Sequence, residues 1–219
     1  MFEAIIFDFD GVILDSEPLH YEAVTNVLKK IGIILSYKEY AKKYIGLSDK
    51  EMFPLLLKDK GCVFSAGAIA LLINEKIDVY TRIIDACNKL PIITSVDQYI
   101  YNALQNDQKI AICTGSTKIE ISTALDKLNL RQHFDTIVTA EDVQSGKPSP
   151  EGYLLTAKRL GVPTNKCLVI EDSPHGITAA KNAGMHVVAL ATTHENQWLQ
   201  NADQIVTGFE ALLDVTGHV

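Results

Sequence analysis

The chain has 219 residues, which is enough for one large domain or for a core domain with a smaller insert. Hydrophobic residues make up 47% and charged residues 21%, as in an ordinary globular protein. The net charge of −7 argues against a broad positive surface for nucleic acid, so we expect no nucleic-acid partner.

The first predicted element is a strand over residues 4–7, where the run Ala-Ile-Ile-Phe is typical of a strand buried on both faces. Asp8 and Asp10 follow it. Side chains two positions apart leave a strand on the same face, and Gly11 allows the chain to turn. Two unpaired carboxylates at the end of a buried strand repel each other, and a divalent cation would remove that repulsion. An acidic turn without a function is the alternative for this pattern alone.

Helical periodicity dominates residues 17–88. The apolar spacing over residues 19–31 predicts one helix. Ser36 and Ser48 each precede a glutamate by three residues, so capping boxes predict two further helices, and Ser65 precedes a long fourth one. We find no convincing strand in this region. A helical block inserted between the first and second strands predicts a separate cap domain.

Strands and helices alternate in the second half of the chain. Short apolar runs predict strands at residues 109–113, 136–139, 167–170, 186–190 and 204–206. This alternation predicts an α/β fold with a parallel sheet and helices on both faces. Ligands bind beyond the carboxyl ends of such strands, and Asp8, Thr114 and Asp172 each follow one of these ends.

Targeting and membrane-spanning segments are not expected. The first four residues carry no basic side chain, and the longest apolar candidate, residues 66–73, is too short to cross a bilayer. The four cysteines are widely spaced without a CxxC pair, which predicts reduced thiols. We therefore expect a cytoplasmic protein with no membrane partner.

Four segments, in order along the chain, resemble the motifs of the haloacid dehalogenase superfamily, in its β-phosphoglucomutase-like phosphatase branch. They are Asp8-Phe9-Asp10-Gly11-Val12, Ile112-Cys113-Thr114-Gly115-Ser116, Gly146-Lys147-Pro148 and Val169-Ile170-Glu171-Asp172. The resemblance implies a Rossmann-like, doubly wound parallel sheet with strand order 5-4-1-2-3. It also implies a core domain of residues 1–15 and 89–219 and a helical cap domain of residues 16–88.

The resemblance implies roles for the residues of the first three motifs. Asp8 would be the nucleophile that becomes an aspartyl-phosphate, and Asp10 the general acid and base. Thr114, the backbone near Gly115 and Lys147 would hold the phosphoryl oxygens. An alkoxide leaving group needs a proton and a halide needs none, so Asp10 favours phosphoester chemistry over dehalogenation.

The family's cofactor is Mg²⁺. The resemblance implies that the Asp8 carboxylate, the Asp10 carbonyl and Asp172 hold it. Glu171 lies either in direct contact with the ion or one layer further out, and both possibilities stay open at this point.

Four cap residues are candidate substrate contacts by resemblance: His20, Gly46, Ser48 and Lys76. The sequence alone allows another interpretation for two of them. His20 could be an ordinary surface histidine of a helix, and Lys76 could be a solvated lysine in a charged stretch.

The predicted function is a Mg²⁺-dependent phosphatase acting on a small phosphorylated metabolite, with a sugar phosphate as the expected substrate and a monomer as the expected state. A β-phosphoglucomutase-type phosphomutase is one alternative, and a non-catalytic phosphate-binding regulatory protein is another. The mutase pattern has an arginine directly after its Gly-x-Ser turn, where this chain has Asp49. The sequence does not identify the substrate, because the cap determines it.

Overall fold

The computed structural model describes residues 2–216 and contains one parallel sheet. Its strands are β1 (Ala4–Phe7), β2 (Lys109–Cys113), β3 (Thr136–Val138), β4 (Cys167–Glu171), β5 (His186–Leu190) and β6 (Gln204–Val206). The strand order is β3-β2-β1-β4-β5-β6, and every neighbouring pair is parallel. The predicted α/β class is confirmed. The predicted order of five strands is present, and β6 extends it beside β5.

Helices surround this sheet. They are α1 (Glu17–Lys30), α2 (Tyr37–Lys43), α3 (Asp49–Asp59), α4 (Ala66–Ala86), α5 (Val96–Gln105), α6 (Lys118–Leu128), α7 (Glu151–Leu160), α8 (Pro174–Asn182) and α9 (Glu210–Thr216). We call α1 to α4 the helical insert. It lies between β1 and β2 in sequence, as predicted, whereas the division of the chain into two domains stays a prediction.

The two faces of the sheet contribute to two hydrophobic clusters. Ile5 and Phe7 of β1 belong to a cluster with residues of α5, α6 and the helical insert. Ala4 and Ile6, which alternate with them, belong to a second cluster with residues of α7 and α8. The period of two in each strand therefore buries β1 on both sides, which explains its uninterrupted apolar sequence.

Local sequence determines most helix starts. The Ser65 hydroxyl accepts a hydrogen bond from the Ala68 N–H at 3.2 Å, as expected of a cap for α4. Helix α5 is absent from our predictions. It follows Ser95, whose left-handed backbone (φ 64°) and lack of a side-chain cap differ from the usual start of a helix. A Ser-x-x-Gln spacing at residues 95–98 was the available signal.

The described helices and cysteines bear on the predictions about membrane spans and thiols. Within residues 2–216, no helix combines the length and apolar character that crossing a bilayer requires. All four cysteines have free thiols, as predicted.

Candidate active site

Asp8 lies directly after the central strand β1, at the carboxyl edge of the sheet. Its carboxylate is buried, with a residue exposure of 7%. Lys147 Nζ lies 2.9 Å from Asp8 Oδ1 as an ion pair, yet no described residue donates a well-aligned hydrogen bond to this oxygen. Burial raises the pKa of Asp8 to about 7, although the charge of Lys147 lowers it. Asp8 is therefore a buried carboxylate with unused capacity to accept a partner.

Two more carboxylates lie beside Asp8, because β4 pairs directly with β1. Oxygens of Asp8, Glu171 and Asp172 all lie within 4.8 Å of one another. Burial and the charges of its two acidic neighbours raise the pKa of Asp172 well above its ordinary value. Such a cluster is costly unless a cation joins it.

Glycine at position 11 leaves room for this cluster. A Cβ atom there would lie 2.0 Å from Asp172 Oδ2 and 2.5 Å from Thr193 Oγ1. The backbone of Gly11 also has φ +74°, a conformation that other residues adopt at a cost. The turn after Asp10 thus requires glycine both for its backbone and for close approach to Asp172.

Glu171 differs from the other two carboxylates because its oxygens are already occupied. Oε1 accepts hydrogen bonds from Lys147 Nζ at 2.6 Å and from the Tyr153 hydroxyl at 3.0 Å. Oε2 accepts from the Asp172 and Ser173 N–H groups and from the Ser173 hydroxyl. Burial raises the pKa of Glu171, but Lys147 and these donors outweigh it, and the pKa is lowered. Glu171 is therefore ionised, and its negative charge holds Lys147 in place.

Asp10 lines the same cavity, and three side chains surround its carboxylate. Ser16 Oγ and His20 Nε2 contact Oδ1, the latter at 3.1 Å, and Ser116 Oγ donates to Oδ2 at 2.6 Å. Burial raises the pKa of Asp10, but His20 and the two hydroxyls outweigh it and lower the pKa below its ordinary value. Asp10 is therefore ionised in this arrangement.

The loop after β2 faces these acids from the next strand. Thr114 is buried, and its Oγ1 accepts the Ser116 N–H at 3.0 Å, which leaves the hydroxyl proton free to donate. A Cβ at Gly115 would meet no atom within 4 Å, so the backbone of this loop faces open space. The loop leads directly into the N-terminus of α6, where N–H groups favour an anion.

All four predicted substrate contacts lie on the helical insert, and the first three are His20, Gly46 and Ser48. The His20 ring stacks on Tyr80 with centroids 4.2 Å apart, so it is packed rather than free at the surface. Gly46 precedes the cap of α3 with φ +78°, and the Ser48 hydroxyl donates to Glu51 at 2.7 Å. All three line the cavity, which is consistent with contact to a ligand.

Lys76, the fourth, is not a solvated lysine. It is 2% exposed, and its Nζ lies 2.9 Å from Asp49 Oδ2 and 2.9 Å from Glu120 Oε1. Burial alone would lower the pKa of Lys76, but these two carboxylates raise it above its ordinary value. The lysine is thus a permanent cation that already has two anionic partners.

These side chains share one cavity of about 220 Å³ between the sheet edge and the helical insert. The predicted site residues that line it are Asp8, Asp10, His20, Gly46, Ser48, Lys76, Thr114, Gly115, Lys147 and Asp172. Glu171 does not line the cavity itself, but its Oε1 accepts a hydrogen bond from Lys147, which does. The structure therefore brings the predicted residues together, while their roles stay predictions.

Sequence reasoning assigned no role to several residues that contact this group. They are Ser16, Ser116, Thr193, Tyr153 and Glu120. Ser116 stands within the second motif, so its position next to Thr114 was a usable signal. Glu120 was interpreted only as part of a capping box, and no sequence pattern indicates its contact with Lys76.

Comparison with known proteins shows which family this chain resembles. The haloacid dehalogenase-like hydrolase family model matches residues 5–190. The phosphorylated carbohydrates phosphatase of Thermotoga maritima is 32% identical over 184 residues, which cover 84% of this chain and 82% of that protein. The fructose-1-phosphate phosphatase of Escherichia coli is 33% identical over 189 residues, which cover 85% of this chain and 95% of the relative.

A solved structure has a similar fold. The β-phosphoglucomutase of Clostridium difficile superimposes with a TM-score of 0.86 at 29% identity, over 98% of this chain and 96% of that one. Relatives named as phosphatases and a mutase thus lie in the same group of similar proteins.

Proposed function

The chain belongs to the haloacid dehalogenase-like hydrolases and is a phosphoric monoester hydrolase, and on that premise we propose that its substrate is the monophosphate of a small sugar or sugar alcohol. One observation carries the proposal: Asp8, Lys147 and Asp172 converge at one end of a cavity large enough for such a molecule. The names of the Thermotoga and Escherichia relatives support the sugar component.

A divalent cation fits the acidic cluster. Asp8 has a buried oxygen without a hydrogen bond from the described residues, and the neighbouring carboxylates lie within 4.8 Å. We place Mg²⁺ at Asp8, Asp172 and the backbone carbonyl of Asp10, with Glu171 one layer further out because its oxygens are occupied. When bound, Mg²⁺ would screen the negative charges of the phosphoryl group and of Asp8.

Asp8 is the nucleophile in this proposal. Its carboxylate oxygen bonds to phosphorus while the bond from phosphorus to the leaving oxygen breaks, which forms an aspartyl-phosphate. Lys147, which Glu171 holds beside Asp8, and the Thr114 hydroxyl stabilise the oxygens of the transferring group. Backbone N–H groups near Gly115 complete this anion site.

Asp10 supplies the proton in the first step and accepts one in the second. Because Asp10 is ionised at rest, it first takes a proton from the adjacent His20 and gives that proton to the leaving oxygen. It then takes a proton from the water that hydrolyses the aspartyl-phosphate. Because three donors surround Asp10 here, the carboxyl group must exchange one of them for the substrate oxygen. His20 is an adjacent proton source, since burial and Lys76 lower its pKa but Asp10 raises it above the ordinary value.

The helical insert would contact the leaving group through His20, Gly46 and Ser48. We propose that residues 16–88 act as a cap domain over a core of residues 1–15 and 89–219. We further propose a cytoplasmic monomer, in line with the free thiols.

A phosphomutase is the second candidate, because of the similarity to the Clostridium enzyme. A mutase must bind a bisphosphate at both ends, and Arg offers a bidentate anion site. This chain has Asp49 at the position of that arginine in the mutase pattern. Asp49 occupies the first position of α3 and pairs with Lys76, and its carboxylate would repel a second phosphate. We therefore expect β-glucose 1-phosphate with a trace of bisphosphate to yield free phosphate rather than glucose 6-phosphate. Faster formation of glucose 6-phosphate would establish the mutase.

A non-catalytic phosphate-binding protein is the third candidate. Binding alone does not need the Asp10 carboxylate, which would repel a phosphate, so the intact acid pair weighs against it.

The proposal is tested by phosphate release from a panel of monophosphates with Mg²⁺: p-nitrophenyl phosphate, hexose 1- and 6-phosphates and sugar-alcohol phosphates. We expect the highest kcat/KM with a sugar or sugar-alcohol ester. The Asp8→Asn variant serves as the background. Release no faster than that background from every ester would contradict the proposal.

A further inference from the structure

Lys76 joins three separate parts of the molecule inside the cavity wall. It belongs to α4, Asp49 begins α3, and Glu120 lies in the first turn of α6. The two Nζ–O distances are both 2.9 Å, and the exposed fractions of the Lys76 and Glu120 side chains are each 2%. A buried charge in such a position is stable only with its partners in place.

The Lys76 ammonium has several partners within the protein. It has three N–H donors and no acceptor. Two carboxylates lie at ion-pair distance, and Nζ lies 5.2 Å from the centre of the Tyr80 ring, within the range of a cation–π contact. A phosphorylated substrate group that approached Lys76 would also approach these two carboxylates, which would repel it.

Glu120 extends the contact to the phosphoryl-binding loop. Its Oε2 accepts the Thr117 N–H at 2.9 Å and the Thr117 hydroxyl at 2.7 Å, while Oε1 accepts from Lys76. Thr117 follows Thr114, Gly115 and Ser116 directly. One carboxylate therefore binds both the insert lysine and the start of the helix that carries this loop.

Asp49 connects Lys76 to the insert side of the cavity. It follows the turn of residues 46–48, which lines the cavity from the insert side. The lysine thus holds the turn and the loop at a set separation on two sides of the cavity.

We propose that Lys76 is a positioning residue, whose ion pairs with Asp49 and Glu120 hold residues 46–49 of the insert against residues 114–117 of the core. Its effect on turnover rests on the proposed phosphatase function. Its effect on the resting protein does not.

The alternative is a lysine that contacts the substrate. The two roles differ in their dependence on the leaving group. A positioning residue supports the reaction of every ester, including p-nitrophenyl phosphate, whose leaving group lacks sugar hydroxyls. A substrate-binding lysine matters mainly for esters that carry a group for it to bind.

The main test uses Lys76→Met, with kcat and KM for p-nitrophenyl phosphate and for the best sugar phosphate. We expect both kcat/KM values to fall by similar factors, on the order of 10-fold to 100-fold, as for residues that support a site from behind. A loss for the sugar ester that exceeds the loss for p-nitrophenyl phosphate by more than about 10-fold would overturn the proposal, since that ratio corresponds to one specific contact.

Hydrogen exchange of the protein without ligand provides the second measurement. We expect the amides of residues 46–51 and 114–120 to exchange faster in Lys76→Met, because both segments lose the same support. Unchanged exchange in both segments would overturn the proposal even if activity falls. If no ester is turned over by the wild type, this measurement still decides the point, so failure of the proposed function is distinguishable.

Two further variants control for misfolding. Glu120→Gln removes the negative charge of this side chain and retains an oxygen for Thr117. We expect the same changes in kcat/KM and in amide exchange as for Lys76→Met, but smaller ones. Lys127→Met removes another contact between α6 and α4, in which Nζ donates to the Ile84 and Asp85 carbonyls. We expect Lys127→Met to leave hydrogen exchange of residues 46–51 and 114–120 unchanged, and also the ratio of the kcat/KM values for the two esters. If Lys127→Met changed exchange and activity as Lys76→Met does, the proposal would be contradicted.

Discussion

On the sheet side of the cavity Lys147 pairs with Asp8 and Glu171, and Asp172 is a third carboxylate of the same cluster, whereas on the insert side two carboxylates pair with Lys76. The sheet side leaves a buried Asp8 oxygen without a hydrogen bond from the described residues. The insert side places its cation at 2.9 Å from both partners. The first wall therefore has excess negative charge that a cation would balance, while the second balances its main cation internally.

This difference predicts where activity is most sensitive. Changes on the sheet side alter groups that interact with developing charge, so they should cost the most. Changes on the insert side alter the placement of those groups and should cost less.

The largest effect is expected for Asp8→Asn, which removes the nucleophile but retains the shape of the side chain. Turnover should fall by roughly 10³-fold or more, as when other enzymes lose a nucleophile. Phosphate release and the circular dichroism spectrum measure activity and folding. Asp126→Asn, an exposed change on α6, is the matched control. A folded Asp8→Asn protein with substantial activity would exclude the assigned role.

Metal removal should have a similarly large effect. The acidic cluster has excess negative charge, so activity should fall to background in excess chelator and return with Mg²⁺. Ca²⁺ should restore it poorly, because its coordination is larger and looser. A titration of activity against each metal measures this. Full activity in excess chelator would show that the cluster works without a cation.

Lys147→Gln tests the cation of the sheet side. Asp8 and Glu171 would lose their common partner, so we expect about a 10²-fold to 10³-fold loss of kcat. Buried carboxylates left without a cation should also lower the free energy of unfolding by about 3 kcal/mol. Activity and urea unfolding measure the two effects. Lys166→Gln, at an exposed pair with Glu3, should change neither.

His20→Phe is expected to give the smallest loss. Phenylalanine can keep the stacking on Tyr80 but cannot donate to Asp10. Since Ser16 and Ser116 still contact Asp10, kcat should fall by about 10-fold, less than the roughly 10²-fold or more that general acid–base catalysis contributes. Kinetics at saturating substrate measure it, with the exposed His175→Phe as control. A loss as large as that of Asp8→Asn would place His20 with the groups that interact with the reacting phosphorus.

Much of the fold was predictable because its signals are local. The strands at residues 4–7 and 109–113 have largely apolar sequences, which are typical of a sheet covered on both faces. Caps at Ser65 and Thr117 were correctly identified from spacing. Helix α5 was not predicted, and it lacks the usual capped start: Ser95, which precedes it, donates its hydroxyl to Glu210 instead of capping the helix.

The candidate site was predictable to a smaller extent. Acidic pairs at strand ends, Asp8 with Asp10 and Glu171 with Asp172, could be located because parallel strands end at one edge. The sequence could not show which carboxylate has an unused oxygen and which already accepts hydrogen bonds. Glu171 differs from Asp172 only through donors that converge from α7, the Lys147 loop and its own turn.

The sequence by itself determined the α/β class, the strand ends and the residue types available for chemistry, because hydrophobic period and turn residues act over a few positions. Only the tertiary structure decided the partner of each charge. Lys76 meets Glu120 across 44 positions, and Ser116 meets Asp10 across 106. Such pairs depend on how helices pack on the sheet, and burial then makes each pairing decisive, since a charge removed from water must find its partner within the protein.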